Sequence, residues 1–199
     1  MTNCTVLTIG HSNHAADLFV RLLGAHAVTV LADVRSAPYS RFHPQFNRSA
    51  LARTLADAGI EYVYLGDALG GRPADPGLYD GGRVRYERVA RTEPFRDAVE
   101  EVAERAGRNR LAIMCAEREP LACHRTLLVA PALEERGAAV AHILADGALE
   151  PHAETMDRLL ARHGLARTGD LLGTRADAIA TAIARETEGA GRRAAARRS

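Results

Sequence analysis

RLAIMCAEREPLACHRTLLVAPALEERGAAVAHIL, residues 110–144, carries three patterns in succession. Arg110–Cys115 is a short apolar run that reads as a buried strand. Cys123–Arg136 has helical apolar spacing and stops at Gly137, and Ala139–Leu144 is another apolar, strand-like run. Strand, helix and strand joined by short connections make a parallel crossover unit. The same alternation extends upstream. Thr5–Ile9 is a strand ended by Gly10, and Ala15–Leu23 a helix with Asn13 as N-cap and Gly24 as stop. Val28–Val34 and Ile60–Leu65 are strands; between them Asn47 caps a helix over Arg48–Ala58 that Gly59 ends. Glu93–Ala106 is an amphipathic helix. The expected fold is therefore α/β: an open, mainly parallel sheet of about five strands with helices on both faces. Two further helices are expected, over Glu154–Arg162 and Ala176–Glu186.

The expected organisation is one α/β domain over residues 1–165, then a C-terminal helix and Arg-rich tail over 166–199. The closing GAGRRAAARRS, residues 189–199, reads as frayed. Gly66–Arg85, rich in Gly, Pro and Asp, reads as a loop longer than a compact fold needs, which marks it for function.

Composition narrows the chemistry. The chain has 199 residues, 47% hydrophobic and 26% charged, with a formal net charge of +1. Bulk charge thus predicts no polyanion partner, and nucleic-acid binding has to rest on local patches. All 26 basic residues are Arg. Schiff-base chemistry and a phosphate-loop lysine are excluded. Three cysteines, Cys4, Cys115 and Cys123, do not suit a secreted disulfide scaffold. No window approaches the roughly 20 apolar residues of a membrane span. A cytoplasmic location and no membrane partner are expected.

The unusual polar residues fall after the strands, where an open parallel sheet binds its ligand. They are Gly10-His11-Ser12; Asp33, Arg35, Ser36, Tyr39, Ser40 and Arg41; Gly70-Gly71-Arg72; Cys115-Ala116-Glu117; Cys123-His124-Arg125; and Asp146-Gly147. Loops at the opposite end, such as Ala58-Gly59 and Gly107-Arg108-Asn109, are plain. Cys123, His124 and Arg125 open a helix, whose free N–H groups favour anions and lower a thiol pKa. Arg125 there opposes the helix dipole, so a ligand or an internal carboxylate such as Glu117 is expected to hold it. Cys115 is either a nucleophile paired with His11 or a small buried hydrophobe. Arg35 and Arg41 suit bidentate anion binding, with Phe42, Pro44 and Phe46 anchoring their loop. Asp33 is either a general base or the partner of Arg35. Tyr62 and Tyr64 read as packing. Gly70-Gly71-Arg72 is not followed by a helix pattern, so it is no dinucleotide loop.

TIGHS (Thr8–Ser12), DVRSAPYSR (Asp33–Arg41), FN (Phe46, Asn47), YLGDALGGR (Tyr64–Arg72) and CAEREPLACHR (Cys115–Arg125) together resemble the bacterial and archaeal family catalogued as domain of unknown function 488. HILADG (His142–Gly147) and Pro151-His152 extend the resemblance, which spans about residues 5–152. It implies an α/β fold and functional weight on the matched positions, and supplies no reaction.

Three functions fit the residues. The first is an enzyme acting on an anionic, phosphate-bearing small molecule or nucleic acid. In it Cys115, Glu117, His11 and Asp33 carry the chemistry. Ser12, Arg35, Ser36, Tyr39, Arg41, Arg72, Cys123, His124 and Arg125 hold the substrate. The second is a non-enzymatic nucleic-acid-binding or regulatory domain, in which Arg contacts phosphates and Tyr39 or Phe42 stacks on bases. The third is a thiol-redox or metal module. Cys115 and Cys123 stand eight positions apart, wider than the usual zinc spacing, so a metal would have to recruit His11, His124 or His142 across the fold. No cofactor and no metal are expected. The phosphatase reading fails, because its Cys-to-Arg loop is shorter than the stretch from Cys115 to Arg125.

Overall fold

The structure is a computed structural model and describes residues 4–165 and 174–196. Its elements in chain order begin with β1 (Thr5–Gly10), α1 (Ala16–Ala25), β2 (Val30–Asp33), α2 (Arg48–Asp57), β3 (Glu61–Tyr64) and the single turn α3 (Gly66–Leu69). A small hairpin of β4 (Tyr79–Asp80) and β5 (Arg83–Val84) follows, then α4 (Tyr86–Val89), α5 (Glu93–Ala106) and β6 (Leu111–Cys115). A π-helical turn, Arg125–Val129, runs into α6 (Ala130–Glu134). Last come β7 (Ala139–Ile143), β8 (Leu149–Pro151), α7 (His152–Arg162) and α8 (Arg175–Ala196).

Six strands form one sheet in the order β3-β2-β6-β1-β7-β8. The first five run parallel, as the alternating pattern predicts, and β8 adds an antiparallel edge. That edge was not legible beforehand. It is three residues long, it follows a tight turn with Gly147 at φ 89, and it ends in a proline, which an edge strand tolerates.

Side chains alternate across the sheet. Val6, Leu111, Ile113 and Cys115 pack with Val99, Val102, Val129 and Leu133 on one face. Leu7, Ile9, Ala112 and Met114 pack with Phe19, Leu23, Leu51 and Leu55 on the other. Helices therefore cover both faces, and Cys115 points to the side that also buries Cys123. A third cluster, with Leu121, Leu127, Met156, Leu159 and Ala182, joins α7 and α8 to the domain. The helix α8 thus extends along 175–196, most of the way through the stretch expected to fray; 197–199 and 166–173 lie outside the described residues.

Three local expectations change. The helix over Cys123–Arg136 is not uniform. Pro131 has no N–H to give the Leu127 carbonyl, so the turn before it widens and the Ala130 N–H bonds to the Arg125 carbonyl. The helix α1 starts at Ala16 behind an uncapped Ala15 rather than at an Asn13 cap, and it runs through Gly24. The stretch Gly66–Arg85 holds α3 and the β4–β5 hairpin, whose turn residues Gly81 and Gly82 both take positive φ. Among the described residues no helix is long and apolar enough to cross a membrane.

Candidate functional site

Strand register levels the carboxyl ends. Gly10 stands beside Cys115, and Asp33 beside Met114 and Tyr64. The ladder continues past the strands, with His11 N–H to the Cys115 carbonyl at 2.9 Å and Ser12 N–H to the Ala116 carbonyl at 3.0 Å. Everything after these positions emerges on one rim.

At its centre four side chains meet. Glu117 Oε2 lies 2.9 Å from Cys115 Sγ and 3.0 Å from Cys123 Sγ. His124 Nδ1 lies 3.7 Å from Cys115 Sγ and 3.8 Å from Cys123 Sγ. His124 Nε2–H donates to the Val34 carbonyl at 3.0 Å, which fixes the ring and leaves Nδ1 facing the sulfurs. A Cβ on Gly71 would sit 2.8 Å from the His124 ring, so the glycine after α3 is there to let the backbone pass over the imidazole. A Cβ on Gly10 would sit 1.9 Å from the Glu117 carbonyl oxygen. The glycines of the quoted motifs thus serve close approach around this cluster.

The cluster shares its protons unevenly. Burial raises the Cys123 thiol, but the Cys115 thiol beside it and the charges of Arg125 and His124 outweigh burial and bring it down. Cys115 is pushed up by its contact with Cys123, by burial and by Glu117. Burial and Cys123 raise Glu117. Burial would lower His124, yet Cys123 and Glu117 leave it raised. Cys123 is therefore the more acidic thiol of the pair, and the histidine facing it is His124 rather than His11. Both sulfurs are covered, Cys115 at 3% exposure and Cys123 at 2%, whereas Glu117 belongs to an exposed residue. A buried thiol is a poor nucleophile for an outside substrate. Glu117 is the one residue of the four that reaches the surface, although its carboxylate is itself largely covered where it meets the sulfurs.

Arg125 is fully buried. Its guanidinium donates to the Glu117 carbonyl at 2.7 Å, the Arg118 carbonyl at 3.5 Å and Thr8 Oγ1 at 3.3 Å. The expected internal partner is thus the peptide of Glu117, not its carboxylate, and the arginine braces the loop that carries it. Thr8 Oγ1 continues to His142 Nδ1 at 2.7 Å, and His142 Nε2 to His152 Nδ1 at 3.0 Å. Burial holds His142 down at about 2 and His152 at about 4, so both rings are neutral. His152 opens α7 and is a member of this buried chain. The pairing of β1 with β7 makes this contact, because His142 and Thr8 sit in register on neighbouring strands.

A second ion pair closes the other half of the rim. Asp33 and Arg35 pair at 2.6 Å with exposures of 0% and 5%. Tyr62 O–H also donates to Asp33, at 2.8 Å, and Arg35 donates to the Phe46 carbonyl at 2.8 Å. Asp33 is thus the partner that holds Arg35. Arg35 Nη1 donates to His11 Nε2 at 3.2 Å, while His11 Nδ1–H donates to the Ser12 carbonyl at 2.8 Å. Burial, then Arg35, lowers His11 to about 4. His11 stacks on Phe46 at 4.3 Å.

Of the four arginines expected to hold an anion, Arg35 and Arg125 are buried and engaged by protein groups, and Arg41 and Arg72 are exposed. Arg72 N–H donates to Ser36 Oγ at 2.9 Å, so it follows the glycine above His124 and adjoins the Ser36 loop. Of the three residues expected to anchor that loop, only Phe46 does so; Phe42 is 77% exposed, Tyr39 71%, and Pro44 is exposed. Arg41 lies over the Phe42 ring at 4.8 Å. Two further features went unread in the sequence. Exposed Arg118 directly follows Glu117. Tyr86 lines a cavity of about 620 Å³ with Leu128, Pro131 and Ile183, and its phenol is raised by burial and by Cys123, Glu117 and Cys115.

The model of a family described as Domain of unknown function DUF488 matches residues 15–131, more than half of the chain. The chain belongs to this family. The match runs from the residue before α1 to the start of α6, and so takes in Asp33, Arg35, Gly71, Arg72 and the whole Cys115–Arg125 segment. His11, Ser12, His142 and His152 of this DUF488 member lie outside the matched residues. No curated protein and no solved structure matches the chain.

Proposed function

We propose that this protein is an enzyme acting on an anionic, phosphate-bearing substrate, a nucleotide or a nucleic acid, with Glu117 as its acid/base group. The carrying observation is the contact of one exposed-loop carboxylate with two buried thiols at the level of the strand ends. A carboxyl that burial and Cys123 hold above its usual range is suited to hand over and take back a proton. Cys115, Cys123 and His124 form the back wall of the centre. Arg118 follows Glu117 in the chain and Arg72 follows the glycine that packs on His124, and these two exposed arginines meet the anion. The exposed Tyr39 and Phe42 rings beside Arg41 suit stacking on unpaired bases. Arg35 and Arg125 shape the rim from beneath.

A non-enzymatic nucleic-acid-binding role draws on the same exposed rings and arginines, and one experiment separates the two. Labelled single-stranded DNA and RNA, nucleoside triphosphates and an aryl phosphodiester are offered to the wild type, to Glu117→Gln and to Arg72→Ala. The enzyme reading expects turnover of at least one, reduced about 10²–10⁴-fold in Glu117→Gln with binding retained. Full turnover in Glu117→Gln removes the assigned chemistry. Salt-sensitive binding without turnover selects the binding domain.

A further inference from the structure

The four side chains at the centre of the rim each offer one donor atom, and the four atoms lie within 4.8 Å of one another. We infer that Cys115 Sγ, Cys123 Sγ, His124 Nδ1 and Glu117 Oε2 bind a borderline-soft divalent cation, with zinc as the natural occupant. The inference concerns the same centre as the proposed reading, in which Glu117 acts on a proton only when it is off the ion, and its test does not depend on turnover.

Geometry comes first. With zinc–sulfur bonds near 2.3 Å and zinc–nitrogen bonds near 2.0–2.1 Å, a tetrahedral site has sulfur–nitrogen edges of about 3.6 Å. The two measured edges are 3.7 and 3.8 Å. These are long for hydrogen bonds and right for two ligands of one ion. The sulfur–oxygen separations of 2.9 and 3.0 Å are shorter than the corresponding edge, also about 3.6 Å, so the carboxylate moves outward by roughly half an ångström on binding. Glu117 is carried on an exposed stretch of loop, unlike the three buried ligands.

Donor chemistry narrows the ion. Two thiolates and an imidazole select zinc or a similar thiophilic metal, and reject calcium and magnesium, which take oxygen donors. The supporting contacts are those of a ligating histidine. Its other nitrogen donates to a backbone carbonyl, which sets the tautomer and aims the free lone pair. Arg125 fixes the loop through the Glu117 peptide, and Gly71 packs on the ring. Three ligands come from rigid, buried positions, at the end of β6 and the entry to the π turn; the fourth comes from the exposed side. Four protein ligands close the tetrahedron, as in a structural zinc site, and Glu117 is the ligand whose release would open a position to the rim. Binding expels the cluster's shared protons to solvent.

The test uses the full chain without an affinity tag, reduced, equilibrated with zinc sulfate and then dialysed against chelator-treated buffer. Elemental analysis is expected to find about one zinc per chain, and cobalt(II) in its place to give a thiolate-to-cobalt charge-transfer band and the strong visible bands of a tetrahedral ion. Cys115→Ser and Cys123→Ser each lower zinc affinity by more than about 100-fold, and Glu117→Gln keeps the thiolate band while weakening binding. Cys4→Ser, at the opposite end of the sheet, changes nothing. The wild-type cobalt spectrum decides alone if a cysteine variant fails to fold. No zinc uptake and no thiolate band in the reduced wild type overturns the site, as does a full equivalent of zinc in the Cys115→Ser/Cys123→Ser protein. Zinc held with no substrate turned over removes the enzyme reading and leaves the site standing.

Discussion

Replacing Asp33 by Asn keeps the shape of the side chain and removes its charge. The carboxylate takes four donors: Arg35 N–H at 3.1 Å and Nε–H at 2.9 Å on one oxygen, Arg35 Nη2–H at 2.6 Å and Tyr62 O–H at 2.8 Å on the other. An amide offers one oxygen and one NH₂. Whichever way it turns, two donors then face a donor, and the guanidinium remains charged without a counter-charge. Arg35 keeps only neutral partners, the Phe46 carbonyl and His11 Nε2. Removing one partner of a buried pair costs about 3–5 kcal/mol, mostly through the charge left behind. In a domain of this size each kcal/mol moves the melting temperature by about 2–4 °C, so Asp33→Asn is expected to melt roughly 6–20 °C below the wild type. Far-UV circular dichroism against temperature and urea measures this. Arg35→Met in the Asp33→Asn background removes the orphaned charge and should recover part of the loss. A cost below about 1 kcal/mol for Asp33→Asn, or a double variant whose loss is the sum of the singles, would refute the dry, mutually dependent ion pair.

Three further outcomes are expected. His11 and His152, held at about 4, and His142, at about 2, should stay neutral at pH 5 in the folded protein. Because the unfolded rings protonate near 6.5, their contribution is complete above that pH and is lost as pH falls from about 6.5 towards about 4 for His11 and His152 and towards about 2 for His142, by up to about 1.4 kcal/mol per pH unit for each ring. Ring NMR titration reads each directly, and a midpoint near 6.5 for any of the three would sink its assignment as a buried neutral base. Gly71→Ala brings a Cβ to 2.8 Å from a ring that Val34 pins, and should cost about 1–3 kcal/mol in urea unfolding. Gly24→Ala, inside α1 with nothing within 4 Å, should instead stabilise by about 0.5–1 kcal/mol; equal effects at the two glycines would contradict the packing role of Gly71.

The local patterns carried the fold because a parallel sheet covered on both faces leaves a strong trace. Its strands are short apolar runs, its helices are amphipathic, and glycines end several of them. Helix α5 reads from Glu93 to Ala106 in sequence and structure alike. The rim was legible as well, since chain connectivity alone puts all strand C-termini of a parallel sheet at one end. What failed locally was what depends on a missing donor or a short partner: the π turn forced by Pro131, and the three-residue strand β8.

Roles within the rim were a different matter. Sequence spacing set Cys115 and Cys123 too far apart for a local metal motif, and it said nothing of which arginine meets solvent. The 3-10 turn at Pro120–Ala122 folds the intervening loop back, so that two thiols eight positions apart face one carboxylate. Arg35 and Arg125 look like anion ligands in the sequence. In the fold each is claimed from within, one by Asp33 and one by two peptide carbonyls. Periodicity and turn chemistry act over a few residues and are written in the chain. Which polar groups satisfy one another is settled by three-dimensional proximity, and for Thr8 and His142 that joins residues 134 positions apart.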